Sequence, residues 1–189
     1  MKRIILVHGW GGSSRGGWFD WIREELEKRN FEVLSFDMPD TENPKIKKWV
    51  DFLAKKIVNP DKDTYFIGHS VGCQTILRYL EKLPEEAQIG GCVFVAPWFN
   101  IIKENLESNE ELKIAEPWIK KKIDFEKVKK HTDKFIAIFS DNDPFVPLGD
   151  IKLFEERIGS KTIIESNMGH FDKIDSFNSL LNSFLTLTE

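Results

Sequence analysis

Four short stretches carry residue types that could cooperate in nucleophilic catalysis. In Gly68-His69-Ser70-Val71-Gly72 a serine stands between two glycines, after the run Tyr65-Phe66-Ile67 and before Thr75, Ile76, Leu77, Tyr79 and Leu80, which are spaced as one helix face. A strand that reverses straight into a helix strains the central residue and crowds the flanking positions, which glycine relieves. The hydroxyl of Ser70 would then stand clear at the start of a helix, with the Val71 amide aimed at developing negative charge. A chance pentapeptide in an ordinary turn is the plainer alternative, so the partners decide.

A serine hydroxyl is a weak nucleophile until a neutral imidazole takes its proton, and the imidazole needs a carboxylate to fix its tautomer. The chain has 4 histidines. His8 ends a strand, His69 is the second residue of the elbow and faces away, and His131 sits in a charged loop. His170 follows a strand inside Gly169-His170-Phe171, so it is the candidate base. For the acid, Asp143 is preferred because Pro144 holds it in an extended turn; Asp141, nearer the strand end, and Asp172, nearer the histidine in sequence, are its rivals. Asp141 would otherwise be a turn residue bonding its own loop. An imidazole base works only when neutral, so activity is expected to rise with pH across the histidine range.

A tetrahedral oxyanion needs donors as well. Val71 offers one backbone N–H, and the loop His8-Gly9-Trp10-Gly11-Gly12 offers a second, assigned to Trp10. The same glycines do not spell a nucleotide site: a GxGxxG counted from Gly9 needs glycine where Ser14 stands, and a P-loop from Gly11 needs lysine where Gly17 stands. Asp37 after the second strand is therefore read as a turn residue. Trp98, Phe99, Phe145 and Phe171 are placed at the same edge as a substrate wall suited to an apolar acyl or alcohol group. Trp18 and Trp21 are assigned to the core.

The elements that must hold these residues alternate. Strands are expected at residues 3–7, 32–36, 64–67, 92–96, 135–139 and 162–165, with helices near 18–28, 44–57, 71–83, 148–157 and 174–185. Apolar strands each followed by a helix indicate a parallel sheet covered on both faces, a three-layer α/β/α sandwich of about six strands. The exception to short connections is residues 98–134, where Ile101, Ile102, Leu106, Trp118 and Phe125 lie among many charges. This segment is expected to form short helices, the last capped by Asp124, as a small cap over the catalytic edge.

At 189 residues with 41% hydrophobic content and a net charge of −4, the chain suits one domain spanning residues 1–189. Mixed charges without a basic stripe argue against nucleic acid, and no apolar run reaches the length of a membrane span. Neither a metal nor another cofactor is expected, because no Cys, His or carboxylate cluster has ligand spacing. Cys73 and Cys92 lack CxxC spacing and are expected as buried thiols, which fits a cytoplasmic protein.

Taken together, Val7-His8-Gly9-Trp10-Gly11-Gly12, the elbow, Ser140-Asp141-Asn142-Asp143-Pro144-Phe145-Val146-Pro147 and Gly169-His170-Phe171 occur in the order of an α/β-hydrolase. Over essentially its whole length the chain resembles the small serine hydrolases related to retinoblastoma-binding protein 9 and the YdeN-type proteins, and it lacks the first antiparallel strands of larger α/β-hydrolases. The resemblance implies a serine hydrolase acting on a small ester or acyl substrate. Thioester or peptide cleavage by the same residues remains open, as does a role as a protein-interaction module, since family members are named for a binding partner. The oligomeric state is not indicated.

Overall fold

The computed structural model describes residues 1–106 and 108–188, so residues 107 and 189 of the expected domain lie outside it. Six strands form one sheet: β1 (Arg3–Val7), β2 (Glu32–Ser35), β3 (Thr64–His69), β4 (Gly91–Val95), β5 (Phe135–Ser140) and β6 (Lys161–Glu165). Their order is β2-β1-β3-β4-β5-β6 and every pairing is parallel. The central strands β3, β4 and β5 are buried at every position, as runs such as Cys92-Val93-Phe94-Val95 require when both faces are covered. At the edge, β6 is half exposed and carries Lys161 and Glu165, charges that discourage pairing with another chain.

Helices α1 (Gly17–Glu27), α2 (Ile46–Lys56), α3 (Val71–Leu80), α4 (Asn109–Lys120), α5 (Phe125–Lys129), α6 (Asp150–Ile158) and α7 (Asn178–Thr188) make the connections. Helix α1 packs with α7, while α2, α3, α5 and α6 pack in sequence with one another. The chain runs from β1 outward to β2 and returns to the other side of β1 as β3, so strand order reverses between β1 and β3. Such a switch point leaves a crevice at the carboxyl ends of the strands. Val7 pairs in register with Gly68 there, which brings the loop after β1 beside the turn after β3.

Residues 98–134 hold a 3-10 turn at Lys103–Asn105, then α4 and α5. Ser108 caps α4 by accepting from the Glu111 amide, and Asp124 caps α5 by accepting from the Lys127 amide. The last helix departs from expectation, starting at Asn178 and not at Ile174. Phe177 is drawn into the core, stacked on Phe171 and edge-on to Trp18, which keeps the preceding residues in a loop. No helix among the described residues is long and apolar enough to cross a membrane. Also among the described residues, no three His, Cys, Asp or Glu side chains gather as a metal site.

Candidate active site

Ser70 is the residue before α3 and has φ 51° and ψ −122°, a conformation that side chains rarely adopt. The flanking glycines are required by contact. A Cβ at Gly72 would lie 2.4 Å from the Val7 carbonyl oxygen and 2.6 Å from that of His8, and one at Gly68 would lie 2.7 Å from Ile76 Cδ1. The strained turn thus fits against β1 only with hydrogens at these positions. It carries Ser70 Oγ to 2.9 Å from His170 Nε2, and His170 Nδ1 lies 2.8 Å from Asp143 Oδ2.

The Asp143 side chain is 1% exposed, and its other oxygen accepts from the amides of Phe145 (2.8 Å) and Val146 (3.1 Å). An Nδ1–H donated to Asp143 Oδ2 is the tautomer that leaves Nε2 as the acceptor for the serine hydroxyl. The two rivals are elsewhere. Asp141 accepts from the Asn167 amide at 2.8 Å, bonding a neighbouring loop and not its own. The end of β5 and the loop after it in fact hold the histidine loop at three points, because Ser140 Oγ accepts from the Met168 amide and Asn142 Oδ1 from the Gly169 amide. Asp172 lies 3.9 Å from His69 Nε2, and its carboxyl is raised, chiefly by desolvation.

The elbow histidine, expected to face away, instead borders the same cavity with its ring 5.0 Å from that of His170. His69 Nε2 is 2.8 Å from the His170 carbonyl oxygen and must donate, so His69 ties the histidine loop to the elbow. Burial, with a smaller effect of His170, pushes its pKa down to about 3, so the ring is neutral. His8 is likewise held neutral. Burial lowers its pKa, the Met38 amide donates to Nε2, and Nδ1 donates to the Gly9 carbonyl. That arrangement shapes the loop after β1, where a Cβ at Gly9 would stand 3.1 Å from Ser70 Cβ. Asp37 accepts from the Ser14 amide in the same region, a turn contact.

The chain belongs to the serine hydrolase family. The family's profile, described as serine hydrolase, matches residues 4–189. Within the family, the chain is similar to YdeN of Bacillus subtilis (strain 168), 27% identical over 179 residues that cover 95% of this chain and 90% of that one. It is similar also to the serine hydrolase RBBP9 of Rattus norvegicus, 26% identical over 182 residues covering 95% and 91%. The crystal structure of the B. subtilis ydeN gene product superposes with a TM-score of 0.88 at 24% identity, covering 100% of this chain and 99% of that one, which shows the α/β-hydrolase fold. Est1E of Butyrivibrio proteoclasticus, solved with ferulic acid bound, shares the fold more distantly, with a TM-score of 0.70 at 18% identity over 99% and 86% of the two chains.

In this serine hydrolase Ser70 opens onto a cavity of about 550 Å³. Trp10, Trp98, Ile101, Leu106, Ala115 and Phe145 form the apolar part of its lining, four of them from the segment between β4 and α5, and Arg15, Glu42, Glu111 and Asp172 border it as well. Phe145 meets the His170 ring edge to face at 5.2 Å. Two residues expected on this wall serve packing instead. Phe99 is not among the lining residues: Asp150 captures the amides of Phe99 and Asn100, and the Phe99 ring stacks on Phe154 at 4.1 Å. Phe171 borders the cavity, but its ring is fully buried against Phe177. Of the two tryptophans assigned to the core, Trp18 is buried and also borders the cavity, whereas Trp21 is partly exposed. The sequence signal also missed a donor. Trp98 Nε1 lies 3.3 Å from Ser70 Oγ, a contact between residues 28 apart that no local pattern encodes.

Proposed function

We propose that this serine hydrolase cleaves carboxylic esters through an acyl-enzyme on Ser70. The observation that carries the reading is the unbroken line from Ser70 Oγ through the His170 ring to Asp143, at 2.9 Å and 2.8 Å. Ser70 Oγ attacks the ester carbonyl carbon while its proton passes to His170 Nε2, and Asp143 stabilises the imidazolium that forms. The carbonyl electron pair moves onto oxygen, which accepts from the amides of Val71 and Trp10; each such donor is worth about 2.7–4 kcal/mol in a transition state. Collapse expels the alcohol with the proton from His170, and water repeats the sequence on the acyl-enzyme. No cofactor takes part.

The apolar part of the cavity wall, from Trp10, Trp98, Ile101, Leu106 and Phe145, supports a substrate with an apolar acyl or alcohol group. Residues 98–134 act as a small cap, since Ile101, Leu106 and Ala115 line the cavity from that segment. Free, buried Cys73 and Cys92 fit a reducing cytoplasmic setting.

A fluorophosphonate probe tests the nucleophile. Labelling of the wild type that vanishes in Ser70→Ala is expected, and an unlabelled wild type would overturn the assignment in favour of an interaction module. Nitrophenyl esters of graded acyl length, run beside thioester and aminopeptidase substrates, test the leaving group. Turnover of thioesters or amides well above that of the esters would replace esterase by thioesterase or peptidase.

A further inference from the structure

Ser70 Oγ has two hydrogen-bonding neighbours. It gives its one hydrogen to His170 Nε2, and Trp98 Nε1, an N–H that can only donate, lies 3.3 Å away on a side chain that is 4% exposed. With one lone pair taken by the indole, Oγ keeps the other for attack, and Ser70 borders the cavity. We propose that Trp98 is a further catalytic residue, a donor to the nucleophilic oxygen itself and distinct from the amides that receive the carbonyl oxygen. The proposal rests on Ser70 being the nucleophile.

The chemistry follows the charge on Oγ. As the proton leaves for His170 and before the bond to the carbonyl carbon is complete, Oγ carries negative charge that the indole N–H stabilises. When the deacylation intermediate collapses, the bond from carbon to Oγ breaks, its electron pair stays on Oγ, and His170 returns the proton. The same donor then faces the same charge. Trp98 therefore acts once in each half of the reaction, and no outside reactant is needed.

The indole is held by a buried polar chain. Gln74 Nε2 donates to the Trp98 carbonyl at 3.1 Å, and Gln74 Oε1 accepts from Arg78 Nη2 at 3.1 Å. Arg78 Nη2 also donates to the carbonyls of Trp118 (3.0 Å) and Lys121 (2.7 Å), at the C-terminal end of α4. Burial is costly for this guanidinium: its pKa is pushed down to about 10, and among the described residues Nε and Nη1 have no hydrogen-bond partner. Gln74, 1% exposed, is on this reading a positioning residue that sets Trp98 through its backbone.

The test separates the N–H from the ring. Trp98→Phe removes the donor but leaves a void, so benzothienylalanine, which keeps the bicyclic shape with sulfur in place of N–H, is also placed at position 98 by nonsense suppression. Loss of one donor predicts about a tenfold fall in both the acylation burst rate with a nitrophenyl ester and the rate of fluorophosphonate labelling, with KM little changed. Gln74→Glu keeps the acceptor for Arg78 and deletes the donor to Trp98. It should lower the burst rate less, with no added loss when combined with the benzothienyl residue. Unchanged burst and labelling rates in the benzothienyl protein overturn the role of Trp98, as does a higher KM at constant burst rate, which would make Trp98 only a wall of the cavity. Additive losses overturn the role of Gln74. An unlabelled wild type overturns the nucleophile assignment and this proposal with it.

Discussion

At the scale of single residues, Asp143 is the place where one atom decides the tautomer of the proposed base, His170. One oxygen takes two backbone amides and the other faces His170 Nδ1, so Asp143→Asn must turn an NH₂ group toward one of them. Facing the amides it would oppose two donors, so the NH₂ group faces the imidazole. The imidazole proton then moves to Nε2, where it can no longer accept from Ser70. The expected result is a fall in kcat of about 10³-fold or more with little loss of stability, checked by steady-state kinetics beside thermal melts. His69 gives the second prediction, on stability. Its folded pKa, about 3, lies below the ordinary 6.5, so between these values the unfolded chain binds more protons than the folded one. Stability from this group is complete above pH 6.5 and is lost as pH falls toward 3, by about 2 kcal/mol between pH 7 and pH 5. Burial lowers the His8 pKa as well, which adds in the same direction. His69→Gln, which keeps a donor for the His170 carbonyl, should flatten that slope in urea titrations at the two pH values, and an unchanged slope would refute the assignment.

At the scale of elements, the turn between β3 and α3 depends on glycine by contact and not by chain flexibility. A Cβ at Gly72 would enter the Val7 and His8 carbonyls, which belong to β1 and its exit loop and cannot yield without opening the sheet. Gly72→Ala is expected to cost about 2 kcal/mol or more and to abolish phosphonate labelling. Gly149, at the start of α6, is the contrast: its φ is −60° and a Cβ there meets nothing within 4 Å. Gly149→Ala should stabilise the protein by about 0.5 kcal/mol, mainly by restricting the unfolded chain, and denaturant midpoints of the two variants check both signs. The elbow was legible in the sequence because its requirements are local: an apolar run, two glycines and a helix face within about twenty residues. The strands were legible for the same reason. Contacts that join distant segments left no such trace. Phe99 sits in the same stretch as Trp98, and only the capture of its amide by Asp150 turns its ring away from the cavity. The clamps from Ser140, Asp141 and Asn142 onto residues 167–169 are likewise invisible without the fold, although both loops had been singled out for their chemistry.

At the scale of the whole molecule, the sheet's order places the proposed catalytic groups on loops and at the start of α3 along one edge, while the middle of the structure is closed. Cys92 lies on β4, one of the two middle strands of the sheet, and Cys73 lies on α3 directly behind the elbow; both are fully buried and free. Burial pushes both thiols up, so neither offers a thiolate to a reagent while the fold is intact. Reaching Cys92 means stripping the helical layer from its face of β4, and reaching Cys73 means lifting α3 from the sheet, where Gly68 and Gly72 let its backbone pack closely against β3 and β1. Neither motion is a loop fluctuation, because each breaks the central layer that the loops depend on. An aromatic disulfide reagent should therefore leave the native protein unmodified and fully active, while in rising urea both cysteines should react in the same transition that abolishes the circular dichroism signal. A thiol that reacts well below that transition would show that the sheet and α3 open separately. The serine turn would then rest on a substructure able to part from the strands that hold His170 and Asp143.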